Sequence, residues 1–501
     1  MEGGPATGGA RSGAARVGEG RLAAFGVLAV VAALAAVGVI MTRRAEPSRA
    51  AAPTEATEVG PAGPATAPAP PKVAPRPDVL VVAIDGLGPA DIAAFGGRAA
   101  PTPALDGAAQ RGVVYADAYA TSPWAGETLA SAVTGRVRPL STDVDPPPTL
   151  AEELGHLGYR SALVRAHARH RTVPDGTPLA PEELGFDVLP SPEGRDDAAG
   201  ARAGEVVDAA VTWLERSVGS SLLVVTLADP RPPHHRYAGL VAAADASYVG
   251  PALAGLPHDD LLRTAPDFTE ADRARLEALH ASEVAATDRA VQRLLDAVRA
   301  RRTTPPVVAV VGLRAPALGR GGRYGLVPSL DPEDLRVPMV LELPAPLTAS
   351  SDGALAGGQR AEPLRGVIDA PVSLVDLAPT LIDALGGTPR LDLDGRSVFP
   401  GARHPERPIR AATARGVRAA MQIEGDRALV LQCEPERARV HARIPDGNSD
   451  ALLGAPRWER ASDGVTAGLA DLRGPLGAWM GGIGVARGDE PVLLRTAPVQ
   501  R

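Results

Sequence analysis

The sequence predicts an α/β fold built on a largely parallel central sheet, and two observations lead there. From Asp78 onward, short β-branched or Leu-rich runs alternate with stretches of helical periodicity, the pattern of a sheet wrapped by helices. The first run, Val79–Ile84, is apolar at every position and ends on Asp85 before the turn Gly86–Gly88, as a strand buried on both faces does. Runs of the same kind recur at Ser161–Val164, Leu222–Leu227, Val307–Val311 and Val337–Leu343. Helical spacing is clear in Leu150–Leu157, Ala203–Arg216, Glu270–Arg299 and Val375–Leu385. In open sheets of this class ligands gather at the carboxyl ends of the strands. Asp85 and the segment after Val311 are therefore expected to meet at one site.

Length and composition bound the rest. The chain has 501 residues, 45% of them hydrophobic, enough for a large core and, at ~100–200 residues per domain, two to four domains. A net charge of −7 argues against nucleic acid as a partner. The single cysteine, Cys433, excludes an intrachain disulfide and a thiolate metal cluster. Lysine occurs once, at Lys72, and arginine supplies the remaining positive charge. With the abundance of Ala, Gly and Pro, this reads as the codon usage of a GC-rich genome rather than as design.

Residues 1–21 form an N-terminal tail. Leu22–Met41 is an uncharged, mostly apolar run flanked by Arg21 and by Arg43 and Arg44. It is long enough at ~1.5 Å per residue to cross a ~30 Å hydrocarbon layer. It also exceeds the ~7–15-residue core of a secretory signal, which favours an uncleaved membrane anchor over a cleaved peptide ending near Ala50–Ala52. Arg11, Arg16 and Arg21 on one side balance Arg43, Arg44 and Arg49 on the other, so the positive-inside rule does not orient it. The segment 42–77, rich in Pro, Ala and Thr, has too little apolar surface to fold and reads as a stalk stiffened toward polyproline II. A globular body, 78–400, and a C-terminal subdomain with its tail, 401–501, follow.

The order of motifs carries a resemblance. After DVLVVAIDGLG (Asp78–Gly88) come TPALDGAAQRGVVYADAYATSP (Thr102–Pro123) and TGR (Thr134–Arg136). Then follow TLAEELGHLGYRSALV (Thr149–Val164), LVVTLADPRPP (Leu223–Pro233) and LHASEVAATDRAVQRLLDAV (Leu279–Val298). SLDPEDLRVPMVLELP (Ser329–Pro344), VSLVDLAPTLIDALGG (Val372–Gly387) and DGRSVFP (Asp394–Pro400) complete the series, with RALVLQ (Arg427–Gln432) fitting a small C-terminal sheet. In this order the blocks resemble the sulfatase family of the alkaline-phosphatase superfamily. The resemblance implies a three-layer α/β/α sandwich with a small C-terminal subdomain, and places the head of a single-pass anchored protein on the extracytoplasmic side.

It also implies where catalytic residues should stand, and most are missing. Family enzymes attack with a residue of a C/S-x-P-x-R or W-T-x-P-S motif. Counting back from Thr134–Arg136 puts that residue at Ala125, whose methyl has no lone pair to attack sulfur or phosphorus. Thr128, one turn on, is the fallback. Of the metal-binding acids, Asp85 remains while the second is Gly86; the later pair aligns with Leu313 and Arg314. A hard cation such as Ca²⁺ takes ~6–8 oxygen ligands, so no metal cofactor is expected. The family's lysines are absent, Arg231 stands where a histidine is usual, and Leu326 replaces a late His or Lys. His167, His170, His234 and His235 lie near vacated positions and are expected to be solvated loop histidines. Asp91 is expected to be structural.

These losses favour a membrane-anchored pseudoenzyme over a hydrolase. Arg231 and Arg314 suggest a pocket for an anionic ligand such as a sulfated or phosphorylated molecule, or else one arginine pairs with Asp85 and fills the site. A protein partner of the tethered head is the other expectation. The alternative is an active sulfuric- or phosphoric-ester hydrolase with an atypical site around Asp85, Thr128 and the histidines, holding Ca²⁺ or another divalent metal. Gly464–Arg501 matches nothing and reads as a surface extension or loosely packed tail.

Overall fold

The computed structural model describes residues 76–97, 100–137, 148–166, 185–188, 200–234, 237, 248–252, 254–256, 260–261, 263, 265–319, 322–344, 364–388, 393–399, 407–413, 419–433, 436–444, 457–460, 476 and 478–480. The anchor Leu22–Met41, the stalk as far as residue 75, and His167, His170 and His235 lie outside them. Among the described residues no helix is long and apolar enough to cross a membrane.

The strands of the body are β1 (Val79–Asp85), β2 (Val113–Tyr119), β3 (Arg160–Arg165), β4 (Asp187–Val188), β5 (Ser221–Leu227), β6 (Val307–Arg314), the hairpin β7 (Ala317–Leu318) and β8 (Tyr324–Gly325), β9 (Arg336–Glu342), β10 (Gly366–Ile368) and β11 (Val372–Ser373). Apart from the hairpin they form one sheet in the order β10-β2-β9-β6-β1-β5-β3-β4, with β11 also on β2. It is mainly parallel: β1 pairs in parallel with both β5 and β6, and β9 runs antiparallel to β2 and β6. The expected strands are all present. β2 is an addition, because Asp117 interrupts its apolar run although every residue of the strand is buried.

Seven helices are described: α1 (Pro103–Arg111), α2 (Ala125–Thr134), α3 (Leu150–Gly155), α4 (Ala203–Arg216), α5 (Glu270–Arg301), α6 (Pro332–Leu335) and α7 (Leu377–Ala384). Side chains of a strand alternate between faces, and β1 divides accordingly. Val79, Val81 and Ala83 join a core with α2, α3 and α7, whereas Leu80, Val82 and Ile84 join a second core with α1, α4 and α5. Local chemistry sets the helix ends. Thr149 and Thr269 accept from the amides of Glu152 and Asp272, closing capping boxes on α3 and α5. Asp288, mid-way along α5, accepts from the amides of Ala104 and Leu105 at 3.1 and 2.9 Å, satisfying the first turn of α1.

The C-terminal subdomain is an antiparallel sheet, β12 (Ile409–Thr413), β13 (Ala419–Glu424), β14 (Arg427–Cys433), β15 (Glu436–Ile444) and β16 (Arg457–Arg460), in sequence order. One face, with Ala411, Met421 and Val430, continues the first core of the body. The other, with Ala412, Ala420 and Leu429, is covered by Leu476 and Met480. That overturns the expectation of a loose tail at these two positions, whose side chains are buried.

Ion pairs tie the small sheet to the body. Asp331, ahead of α6, meets Arg439 at 3.1 Å and His441 at 3.4 Å from β15, and Arg323 at 3.3 Å. Burial alone would raise the Asp331 carboxyl, but the His441 hydrogen bond and the charges of Arg439, His441 and Arg323 outweigh it and hold it at about 2. A carboxyl depressed in the folded state contributes stability above its unfolded value of ~4. That contribution is lost as pH falls through about 2. We expect Asp331→Asn to lower stability at neutral pH by ~1–2 kcal/mol, allowing for solvent screening. In urea titrations the gap to the parent should shrink between about pH 4 and pH 2; a gap independent of pH would show that the charge contributes nothing.

Candidate functional site

Asp85 and Arg314 meet, as the strand order requires. The β1–β6 register pairs Ile84 with Gly312 and then Asp85 with Arg314, so an irregularity skips Leu313. Leu313 faces the first core with Val307, Ala309 and Val311, by the ordinary alternation of the strand, and the skip brings Arg314 level with the acid. The Arg314 guanidinium grips Asp85 side-on, Nε to Oδ1 at 2.6 Å and Nη2 to Oδ2 at 3.0 Å. The backbone repeats the contact, with the Gly86 amide donating to the Arg314 carbonyl at 3.1 Å. Arg231, on the loop after β5, places its Nε 3.6 Å from Asp85 Oδ2. Of the two arrangements left open by the sequence, the arginines here both engage Asp85. Of the two guanidiniums, Arg231, at 25% side-chain exposure, is the more accessible.

The segment before α2 closes the site. Arg314 Nη1 lies 3.5 Å from the Pro123 carbonyl, and Ala125 is the first residue of α2. No hydroxyl stands at that first position. Thr128 is fully buried and donates to the Ser122 carbonyl at 3.0 Å, which spends its proton on the backbone and leaves the fallback nucleophile inside the packing. Glu127, in the first turn of α2, was not singled out from the sequence. It is buried, and Ser122 Oγ donates to its carboxylate. Ser122 Oγ in turn accepts from the Trp124 amide at 3.1 Å, so an acid and a hydroxyl organise the start of α2. The loop is stitched to β12 as well: Ala412 N donates to Thr121 O at 2.9 Å, and Trp124 Nε1 to Thr413 Oγ1 at 3.1 Å.

A divalent metal does not fit these residues. Both oxygens of Asp85 face guanidinium nitrogens, Gly86 and Leu313 bring no donor, and Arg314 brings a cation. Such a set lacks the several oxygen ligands a hard ion requires. Nor is there room for a second acid at Gly86 as the backbone stands. Its φ is +89°, and a Cβ there would lie 2.8 Å from the Arg231 amide nitrogen and 2.9 Å from the Pro230 carbonyl carbon. Among the described residues no group of three or more His, Cys, Asp or Glu is placed to hold a metal. Leu326 is buried.

Behind the arginines lies a buried set of titratable groups. His280 of α5 is fully buried, with Nδ1 3.0 Å from the Pro230 carbonyl and Nε2 3.0 Å from Asp91 Oδ1. A carbonyl and a carboxylate only accept, so both ring nitrogens carry protons and His280 is an imidazolium. Burial opposes that charge, but Asp91, its hydrogen bond, the Pro230 carbonyl and Glu283 outweigh it and raise the His280 pKa. Asp91 also accepts from the Gly88 amide at 2.7 Å, confirming the structural role expected for it. His280 thus braces the turn after Asp85 against the loop that carries Arg231. His234 departs from expectation: it is buried, with Nδ1 2.8 Å from Glu283 Oε2 and its ring edge-on to His280. The Glu283 carboxylate on α5 draws it inward, a contact that no local pattern around His234 discloses. Asp229 likewise serves structure, accepting from the Ala203 amide at 3.0 Å at the start of α4.

Because the folded His280 pKa is raised, its contribution is complete below the unfolded value of ~6.5 and is lost as pH rises through the folded value. We expect His280→Gln to destabilise the protein by ~3–5 kcal/mol at about pH 6, the cost of leaving a buried charge unpaired. The gap should narrow in alkaline solution. Equal gaps at about pH 6 and pH 10 in chemical denaturation would contradict the imidazolium assignment.

Known proteins similar to this chain share its fold. A family model described as Sulfatase matches residues 77–387. No curated protein matches the chain. Among solved structures, a phosphonate monoester hydrolase of Agrobacterium radiobacter is similar with a TM-score of 0.53 and 17% identity, over 79% of this chain and 93% of that one. A putative sulfatase from Bacteroides thetaiotaomicron gives 0.58 and 16%, over 81% and 92%. A 2-O GAG sulfatase gives 0.57 and 16% over the same shares. At such identities the likeness establishes the fold. The family model spans the body from β1 to α7, more than half of the chain, and so the protein belongs to the sulfatase family.

Proposed function

We propose that this protein is a membrane-tethered sulfatase-family head that recognises ligands without hydrolysing them. The reading rests above all on the side-on pair between Arg314 and Asp85. It stands where the family's ester chemistry needs a metal-binding carboxylate, and Ala125 stands where it needs an attacking atom. A carboxylate neutralised by a guanidinium cannot also gather a divalent ion, and a methyl cannot form an ester intermediate. Helices on both faces of the sheet support the three-layer α/β/α description of the body. The apolar run Leu22–Met41 and the Pro/Ala-rich segment after it support a single-pass anchor and a stalk, and the family resemblance supports a head outside the cytoplasm.

Arg231 is the more accessible of the two arginines that meet at Asp85. We assign to it an anionic group, a sulfate, phosphate or carboxylate, on a small ligand or on a protein partner. Arginine offers such groups a paired-donor geometry that lysine does not.

Two measurements test the reading. The purified full-length chain should carry no stoichiometric calcium or other divalent metal and should not turn over aryl sulfates or aryl phosphates. Metal-dependent turnover that disappears in Asp85→Asn would establish the alternative, an atypical hydrolase. Separately, Arg314→Leu should destabilise the protein by ~3–5 kcal/mol, since it strands a buried carboxylate. Adding Asp85→Asn should recover most of that loss, and equal stabilities for the single and double variants would refute a plugged site.

A further inference from the structure

A cavity of ≈ 220 Å³ lies between the body and the small sheet, lined by Arg407, Arg410, Asp394, Val137, Val375 and Trp479 among others. Val137 follows the carboxyl end of α2, while the site around Asp85 sits at the amino end of that helix. A helix of this length, ~15 Å, separates the two. Trp479 belongs to the C-terminal segment, beyond the residues that the sulfatase model matches. It is placed there because Leu476 and Met480, on either side, are buried against β12, β13 and β14.

The chemistry of the cavity is that of a cation cluster with an open donor fork. Arg410 of β12 lays its guanidinium over the Trp479 indole, 5.3 Å from the ring centroid, and its Nε donates to Gln422 Oε1 at 3.0 Å. Its two terminal nitrogens make no hydrogen bond to the described residues. Arg407 donates to the Asp394 carbonyl at 2.8 Å and to the Asp376 carboxylate. Asp376 is buried and already accepts from the amides of Ser373 and Arg396. Asp394 accepts from the Val137 amide at 2.9 Å. Three guanidiniums, those of Arg396, Arg407 and Arg410, therefore share two carboxylates that are already engaged, and Glu424 offsets Arg410 from the exposed end of β13. Burial lowers the pKa of both Arg396 and Arg410, and the Arg407 charge lowers each further, as expected where cations crowd without enough anions.

We propose that this cavity is an oxyanion site, in which the open fork of Arg410, held flat on Trp479 and seconded by Arg407, receives a sulfate or phosphate group. Arginine matches the paired oxygens of such groups, and its stacking on an indole fixes the fork before the ligand arrives. The volume lies below the ~300–1,000 Å³ of pockets for drug-sized ligands, so the occupant is a free oxyanion or one on a single small carrier.

The test titrates the full-length chain with sodium sulfate, sodium phosphate and phenyl sulfate at constant ionic strength, reading heat and Trp479 emission against Trp479→Phe. Saturable binding is expected, weakened at least tenfold in Arg410→Gln and several-fold in Arg410→Lys, which keeps the charge but loses the fork. Circular dichroism of each variant should match the parent. The Trp479 emission change reports this cavity alone, and it should survive Arg231→Ala even where the heat from the site at Asp85 is lost. Preference for the two inorganic ions would identify a free oxyanion as the occupant, and preference for phenyl sulfate an ester. No saturable Trp479 emission change with any of the three, or one that persists in Arg410→Gln, would each overturn the proposal.

Discussion

A carboxylate at the end of a buried central strand cannot stand alone, and the way Asp85 is neutralised shapes everything around it. In a low-dielectric interior an ionised acid needs either a cation or a full set of donors. This chain supplies a guanidinium from the neighbouring strand, delivered by the one-residue irregularity between β1 and β6. One local change of register thereby sets a cation beside the acid, while Leu313 keeps to the core face it shares with Val311.

The surrounding polar groups are arranged around that pair and not around a ligand. Thr128 and Ser122 bond to each other's segment, Glu127 is committed to Ser122, and Asp229 serves the start of α4. His280 joins the turn after Asp85 to the Pro230 carbonyl, next to Arg231, and Asp91 balances its charge. Polar networks of this kind rigidify a site when each member has a partner. Here they hold two arginines and an acid in one geometry.

The small sheet is integral to the body rather than appended to it. Asp117 of β2 is buried between Arg336 at 3.7 Å and Arg443 at 3.3 Å, and Trp458 of β16 donates to the Tyr119 hydroxyl at 3.0 Å. Burial raises the Asp117 carboxyl against the pull of Arg443, Tyr119 and Arg336. The same sheet, backed by Leu476 and Met480, presents Arg410 to Trp479. Trp479, beyond the residues that the family model matches, thus meets an arginine cluster.

Periodicity and motif order were sufficient for the parallel sheet, its helices and the convergence of Asp85 with the end of β6, because strand burial and helix spacing are written in consecutive residues. The identities of Ala125, Gly86 and Leu313, at positions that the family resemblance singles out, also require no coordinates. The partners of the charges were not. Arg231, Arg314 and Asp85 are far apart along the chain, and only the sheet order and the slip in register decide that both arginines turn to the acid. Asp117, His234, Glu127 and Trp479 were misread or passed over for the same reason. A buried polar side chain is identified by what faces it across the fold, and that information is held in tertiary contacts.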